Sequence, residues 1–216
     1  NHCRQGRVLI VDAELHPATL AHRMRMVAES VEADSETAID ILSLRGQNCD
    51  LAALAMHLEQ VQPGTYELIV IDALYRFLPQ GTSENDNAAM MAIYNQIDQI
   101  AKRLLCAVVI IHHTSKGSQA DKAVTDVGSG AGSISRAADT HITIRDHEER
   151  GYQVLEAVTR SFPSPEPKSI YFKFPSWLES DLAPKRKSGK PNKQATTDAE
   201  TKTSISKILE SFNGKS

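Results

Sequence analysis

The chain has 216 residues, 41% of them hydrophobic and 24% charged, with a net charge of −3: a soluble composition, long enough for one α/β domain with a good core. Its longest apolar run, at 107–111, falls far short of the roughly 20 residues a membrane-spanning helix needs, and no signal peptide is visible, so a cytoplasmic protein with no membrane partner is expected. Cys3, Cys49 and Cys106 are widely spaced and form no metal pattern, which excludes structural zinc and fits a reducing compartment, while the slight negative charge gives no global nucleic-acid signature.

Residues 7–12 read as a strand, and Pro17 follows where a first helical turn tolerates it. Leu20, Met24, Val27 and Val31 then form a helix-period stripe. Ile39, Ile41 and Leu42 mark a short strand, and Asp50 caps a helix carrying Leu51, Leu54, Leu58 and Val61 that Pro63-Gly64 stops. Residues 67–72, Glu-Leu-Ile-Val-Ile-Asp, run four aliphatic residues into an aspartate, the signature of a buried parallel strand that delivers a carboxylate to the sheet's C-terminal edge. A polar loop leads to a helix with Met90, Tyr94, Ile97, Ile100 and Leu104 inward, and a second apolar strand at 107–111 ends in His112-His-Thr-Ser-Lys-Gly117.

This alternation predicts a largely parallel sheet with helices on both faces. The pattern then changes. Residues 140–144, 154–159 and 170–174 read as antiparallel strands extending the sheet. After Trp177 the composition turns to Lys185, Arg186, Lys187, Lys190 and Lys193 among Pro, Gly and Ser, a flexible basic linker, and residues 203–212 read as the beginning of another helix.

Ligands of open α/β sheets bind beyond the carboxyl ends of the strands, which makes Asp72 and His113 candidate site residues. The Asp72 strand has the Walker B pattern of a nucleotide-hydrolysing core. Glu14, just past the end of the first strand, completes a pair of carboxylates that can divide labour: one holds hydrated Mg²⁺, the other orients or deprotonates an attacking water. The alternatives are a helix cap for Glu14 and a strand-end turn residue for Asp72. Adjacent residues on a strand point to opposite faces, so His112 and His113 are not a metal pair; one faces the site and can donate to a terminal phosphate oxygen, or both are turn histidines. Gly128-Ser-Gly-Ala-Gly132 follows a polar loop instead of a strand and reads as a hinge. No G-x-x-x-x-G-K-[ST] phosphate loop, G-x-S-x-G elbow or H-E-x-x-H occurs. The chain opens at Asn1-His2-Cys3 without an initiator Met and is in a strand by Val8, so it is expected to be a piece of a longer protein whose leading elements lie upstream.

Val8-Leu-Ile-Val-Asp-Ala-Glu14, Leu68-Ile-Val-Ile-Asp-Ala-Leu-Tyr-Arg-Phe77, Ile111-His-His-Thr-Ser-Lys-Gly117 and Ala157-Val-Thr-Arg-Ser161 together resemble the RecA-type P-loop ATPases, with hexameric plasmid replicative helicases such as RepA and the DnaB-like helicases as the nearest kin. The resemblance implies a three-layer RecA-like core at 1–178 without its phosphate-loop unit, a linker at 179–202 and a further segment from 203. It implies ATP and Mg²⁺ as cofactors, single-stranded or forked DNA as partner, a hexameric ring, and a helicase or primase-associated role. Glu14 would be the catalytic carboxylate, Asp72 the aspartate acting on Mg²⁺ through water, and His113 the phosphate sensor. Arg160 would be the arginine lent to a neighbour's nucleotide, Arg136 a substitute at the nucleotide, and Lys116 and Lys122 part of a nucleic-acid loop. The fragment alone is expected to be inactive. The other reading is a non-hydrolysing regulatory or DNA-binding protein that truly lacks the loop.

Overall fold

The computed structural model describes residues 5–33, 39–113, 123–126 and 137–187. Four short aliphatic segments, β1 (Val8–Asp12), β2 (Ile39–Ser43), β3 (Leu68–Asp72) and β4 (Ala107–Ile110), form a wholly parallel sheet in the order β2-β1-β3-β4. Their connections are the helices α1 (Pro17–Ser30), α2 (Leu51–Leu58) and α3 (Asn87–Leu104). The β1 to β2 step runs opposite in direction to the β2 to β3 and β3 to β4 steps. Right-handed crossovers therefore put α1 on one face of the sheet and α2 with α3 on the other.

The α2–α3 face is the core. Leu9 and Val11 of β1 and Ile69 and Ile71 of β3 point into it and meet Leu51, Leu54 and Leu58 of α2 and Met90, Ile97 and Leu104 of α3. Both helices begin as the sequence predicts: Asp50 accepts from the amide of Ala53 at 2.9 Å, and Asp86 accepts from those of Ala88 and Ala89. Each cap satisfies helical N–H groups that have no intrahelical partner. The inward stripe expected of α3 is buried along its whole length.

The opposite face is barer. Ile41, Ile10, Val70 and Val109 stand in one row across all four strands, and the two outer members remain exposed. Of the stripe expected on α1, only Leu20 is buried.

The later strands do not extend the parallel sheet, as their sequence suggested. They form a second, antiparallel sheet, β5 (Thr140–Asp146), β6 (Tyr152–Thr159), β7 (Lys168–Lys173) and β8 (Ser176–Ser180), in sequential order. Tight turns pair each strand with its neighbour in the chain, leaving no need for β4 as a partner. β8 was missed, and it crosses the boundary drawn at residue 178. The basic stretch behind it is also built into the sheet where its composition suggested a linker: Lys185 O accepts from Glu148 N, and Lys187 N donates to Asp146 O.

β8 and β5 are opposite edges of this sheet, so residues 181–187 cross it as a strap. Under the strap, His147 accepts from the amide of Glu149 at one ring nitrogen and donates from the other to Ala183 O, 2.9 Å away. Arg145 donates to Glu156 at 3.1 Å, and Arg186 of the strap reaches the same carboxylate at 3.7 Å. The other face of the sheet is apolar and open, with Ile142, Ile144, Phe172 and Trp177 each about half exposed or more.

Candidate functional site

β1 and β3 lie in register with Asp12 opposite Asp72, so two strands end in carboxylates at the same edge. Asp12 is 1% exposed and serves the backbone: its Oδ1 accepts from the amides of Glu14 at 3.2 Å and Leu15 at 2.8 Å. This turn throws Glu14 forward over the sheet edge. Arg45 fixes it from behind, donating to the Glu14 carbonyl at 2.8 Å. His16, not Glu14, is the N-cap of α1, so the helix-cap alternative fails.

The Glu14 carboxylate meets groups from both neighbouring strand ends. Its Oε2 lies 3.5 Å from His113 Nε2 at the tip of β4. Tyr75, just after β3, hydrogen bonds to the same carboxylate, and that bond is the main cause of a raised phenol pKa. Tyr75 and His113 also touch edge to face with centroids 5.8 Å apart, and the Arg76 guanidinium lies 5.0 Å from the Tyr75 ring centre. Glu14, Tyr75 and His113 thus form a single hydrogen-bonded and stacked group.

Asp72 stands beside them, and its carboxyl is pushed above the usual aspartate range. Burial is the largest cause, followed by the negative charges of Asp12 and Glu14, while His113 opposes the shift. Such an accumulation of negative charge, with one imidazole against it, is a place where a cation is electrostatically welcome. Among the described residues no three acids or imidazoles converge as a metal cage. That suits Mg²⁺, which keeps most of its waters and takes one or two carboxylates with substrate phosphates. Asp72 fits as the single protein contact.

His112 and His113 diverge as expected for consecutive strand residues. His112 turns away from Glu14, its Nδ1 2.9 Å from the His113 carbonyl oxygen and its Nε2 3.7 Å from Glu84. Arg160 is not part of this cluster. It sits at the end of β6 opposite the β5–β6 turn, half exposed, with its guanidinium 3.7 Å from Asp139. Lys116, Lys122 and Arg136 lie outside the described residues. Sequence reasoning missed Asp12 and Tyr75 as positioning groups. The available signal was that Asp12 ends its strand as Asp72 ends the next.

A family model described as an AAA domain matches residues 1–119, more than half of the chain and all of this edge. The chain belongs to that AAA-domain family. No curated protein sequence matches it. Among solved structures, the AAA-domain core is similar to one described as an ATPase domain, with a TM-score of 0.57 and 13% identity over 77% of this chain and 71% of that one. It is also similar to the RadB recombinase, with a TM-score of 0.53 and 16% identity over 78% and 76% of the two chains. The fold is RecA-like, a parallel sheet between helices followed by an antiparallel sheet, and the recognition as a RecA-type P-loop ATPase stands. No helix among the described residues is long and apolar enough to cross a membrane.

Proposed function

We propose that this chain is the water-activating half of an ATP-hydrolysing, DNA-acting motor, with Glu14 as the catalytic carboxylate. The observation that carries the reading is the junction of Glu14 with His113 and Tyr75 beside an acid-rich Asp72 at the sheet's C-terminal edge. Glu14 accepts a proton from, or orients, a water aimed at the terminal phosphate. Tyr75 and the backbone contacts of Asp12 and Arg45 hold it in place. His113 touches the carboxylate on one side and solvent on the other, so it can donate to a terminal phosphate oxygen and transmit the presence of that phosphate to Glu14. Mg²⁺, held through water at Asp72, neutralises developing phosphate charge. Arg160 is the candidate donated to a neighbouring subunit, and a hexameric ring on single-stranded or forked DNA, serving as a cytoplasmic helicase or primase-associated motor, is the assembly this reading favours. Lys116 and Lys122 are the residues offered to DNA, and Arg136 a further contact to the nucleotide.

The absence of a G-x-x-x-x-G-K-[ST] segment in these 216 residues favours a second reading, a RecA-like regulator or DNA-binding protein that does not hydrolyse nucleotide. The test is Mg²⁺-dependent, DNA-stimulated ATP turnover by this chain alone and by a protein joining it to such a segment. The motor reading expects no turnover from the first and turnover from the second. Absence of turnover in both, with nucleotide bound, would leave the regulator.

A further inference from the structure

The two faces of the antiparallel sheet differ in kind. One carries Arg145, Glu156, Ser169 and His147 and is sealed by the strap at 181–187. The other is apolar across all four strands, and nothing among the described residues seals it. The strand register aligns Ile142 with Ala157, Ile144 with Leu155, and Phe172 with Trp177, all on that open face. Ile142 is 65% exposed and Trp177 47%. Four strands at about 4.8 Å spacing make this a ledge roughly 15 Å across, the length of a ten-residue helix.

The strap ends beside the ledge. Lys187 is hydrogen bonded to Asp146, two residues along β5 from Ile144, so the chain leaves the sheet at the edge where the apolar face begins. Beyond it the sequence continues to Ser216. Ile205, Ile208, Leu209 and Phe212 recur at the i, i+3, i+4, i+7 spacing of one helix face, with Ser204, Lys207, Glu210 and Ser211 between them. The roughly 15 residues between Lys187 and Thr203 can span at most about 50 Å, ample to turn around β5 and lie on its far side. A short helix of this sequence cannot bury its apolar stripe alone, and isolated helices of that length are marginal in water.

We propose that residues 204–212 of the same chain dock as an amphipathic helix on the open face, across Ile144, Ile142, Leu155 and Trp177. The strap then closes one face of the sheet and the tail the other, from a single stretch of chain that passes around the β5 edge. Because ordering a short helix costs nearly what its burial returns, the docking is reversible and one charge in the stripe releases it.

The chain's single tryptophan is Trp177, so the ledge carries its own reporter. The experiment measures Trp177 emission and acrylamide quenching in the full chain and in full-chain Leu209→Asp and Ile205→Asp variants, which leave both sheets untouched. Docking predicts a red shift and a rise of about twofold in the quenching constant in either variant, since the indole returns to water. Ile142→Ser, on the sheet side, should release amide protection across 204–212 in hydrogen exchange. Equal quenching in parent and tail variants overturns the proposal, as does protection of 204–212 that Ile142→Ser does not change. A difference that grows with protein concentration, with dimers by mass, replaces the chain's own tail by a second copy and overturns it equally.

Discussion

Glu14 Oε2 and His113 Nε2 lie 3.5 Å apart, bringing together side chains that are almost a hundred positions apart in sequence and sit on strands separated by β3. An acid and an imidazole at that distance form one proton-sharing unit, and what changes one changes the other.

The sharpest consequence concerns Glu14 itself. In a protein carrying this core together with a phosphate loop, Glu14→Gln is expected to lower kcat by about 10²–10⁴, the usual contribution of a positioned acid–base group, with nucleotide affinity little changed. Steady-state turnover and nucleotide titration on the same preparation measure both, and near-parental kcat would remove Glu14 from the chemistry.

Tyr75 holds the carboxylate through its hydroxyl, so Tyr75→Phe should leave the fold intact and reduce kcat by about 3- to 10-fold, the value of one hydrogen bond of roughly 1 kcal/mol. KM should stay near its parental value. A change confined to KM would place Tyr75 in substrate binding instead.

Asp72 predicts a dependence on pH. Its folded-state pKa lies above the ordinary value of 3.8, so the folded chain holds this proton more tightly than the unfolded chain does. Its contribution is therefore favourable at low pH and is lost as pH rises from about that ordinary value through the raised one. Asp72→Asn, melted without divalent cation, should be more stable than the parent at neutral pH, by up to about 1 kcal/mol. The gap should close as the pH falls towards the ordinary aspartate range. A variant less stable at neutral pH would mean that the charge is compensated.

The ion pair under the strap should behave differently. The Arg145 side chain is 6% exposed and that of Glu156 12%, so Glu156→Ala leaves a buried guanidinium without its carboxylate and should cost about 3–5 kcal/mol in denaturant unfolding. Arg186→Ala removes only the outer, more exposed partner and should cost less than about 1 kcal/mol.

Arg160 tests whether sites are shared between subunits. Arg160→Ala should abolish DNA-stimulated turnover while nucleotide still binds, and mixing it with Glu14→Gln subunits should restore part of the activity. Mixed assemblies verified by mass that remain inactive would confine Arg160 to its pairing with Asp139.

Much of this was legible in the sequence because it was written in strong local signals. Runs such as Leu68-Ile-Val-Ile-Asp72 have one stable environment, a buried parallel strand, and the helix caps Asp50 and Asp86 act within a few residues of themselves. Tyr75 was not legible: its neighbours are apolar, and its partner Glu14 comes from another strand. The strap shows the opposite failure. Lys185, Arg186 and Lys187 look like linker by composition, yet their backbone groups pair with the β5–β6 hairpin, and composition carries no record of backbone hydrogen bonds. The stripe on α1 was real in sequence, but Val27 and Val31 remain exposed because periodicity marks an apolar face without saying what covers it.

β4 is the outer strand of the parallel sheet, and its tip bears His113. One side of its ladder has no strand beside it among the described residues, so this histidine is mounted on the least braced beam of the sheet. Any extended segment that adds to that side stiffens the mount and fixes the angle at which the imidazole meets Glu14. Sheet growth and catalytic alignment would then be a single mechanical variable.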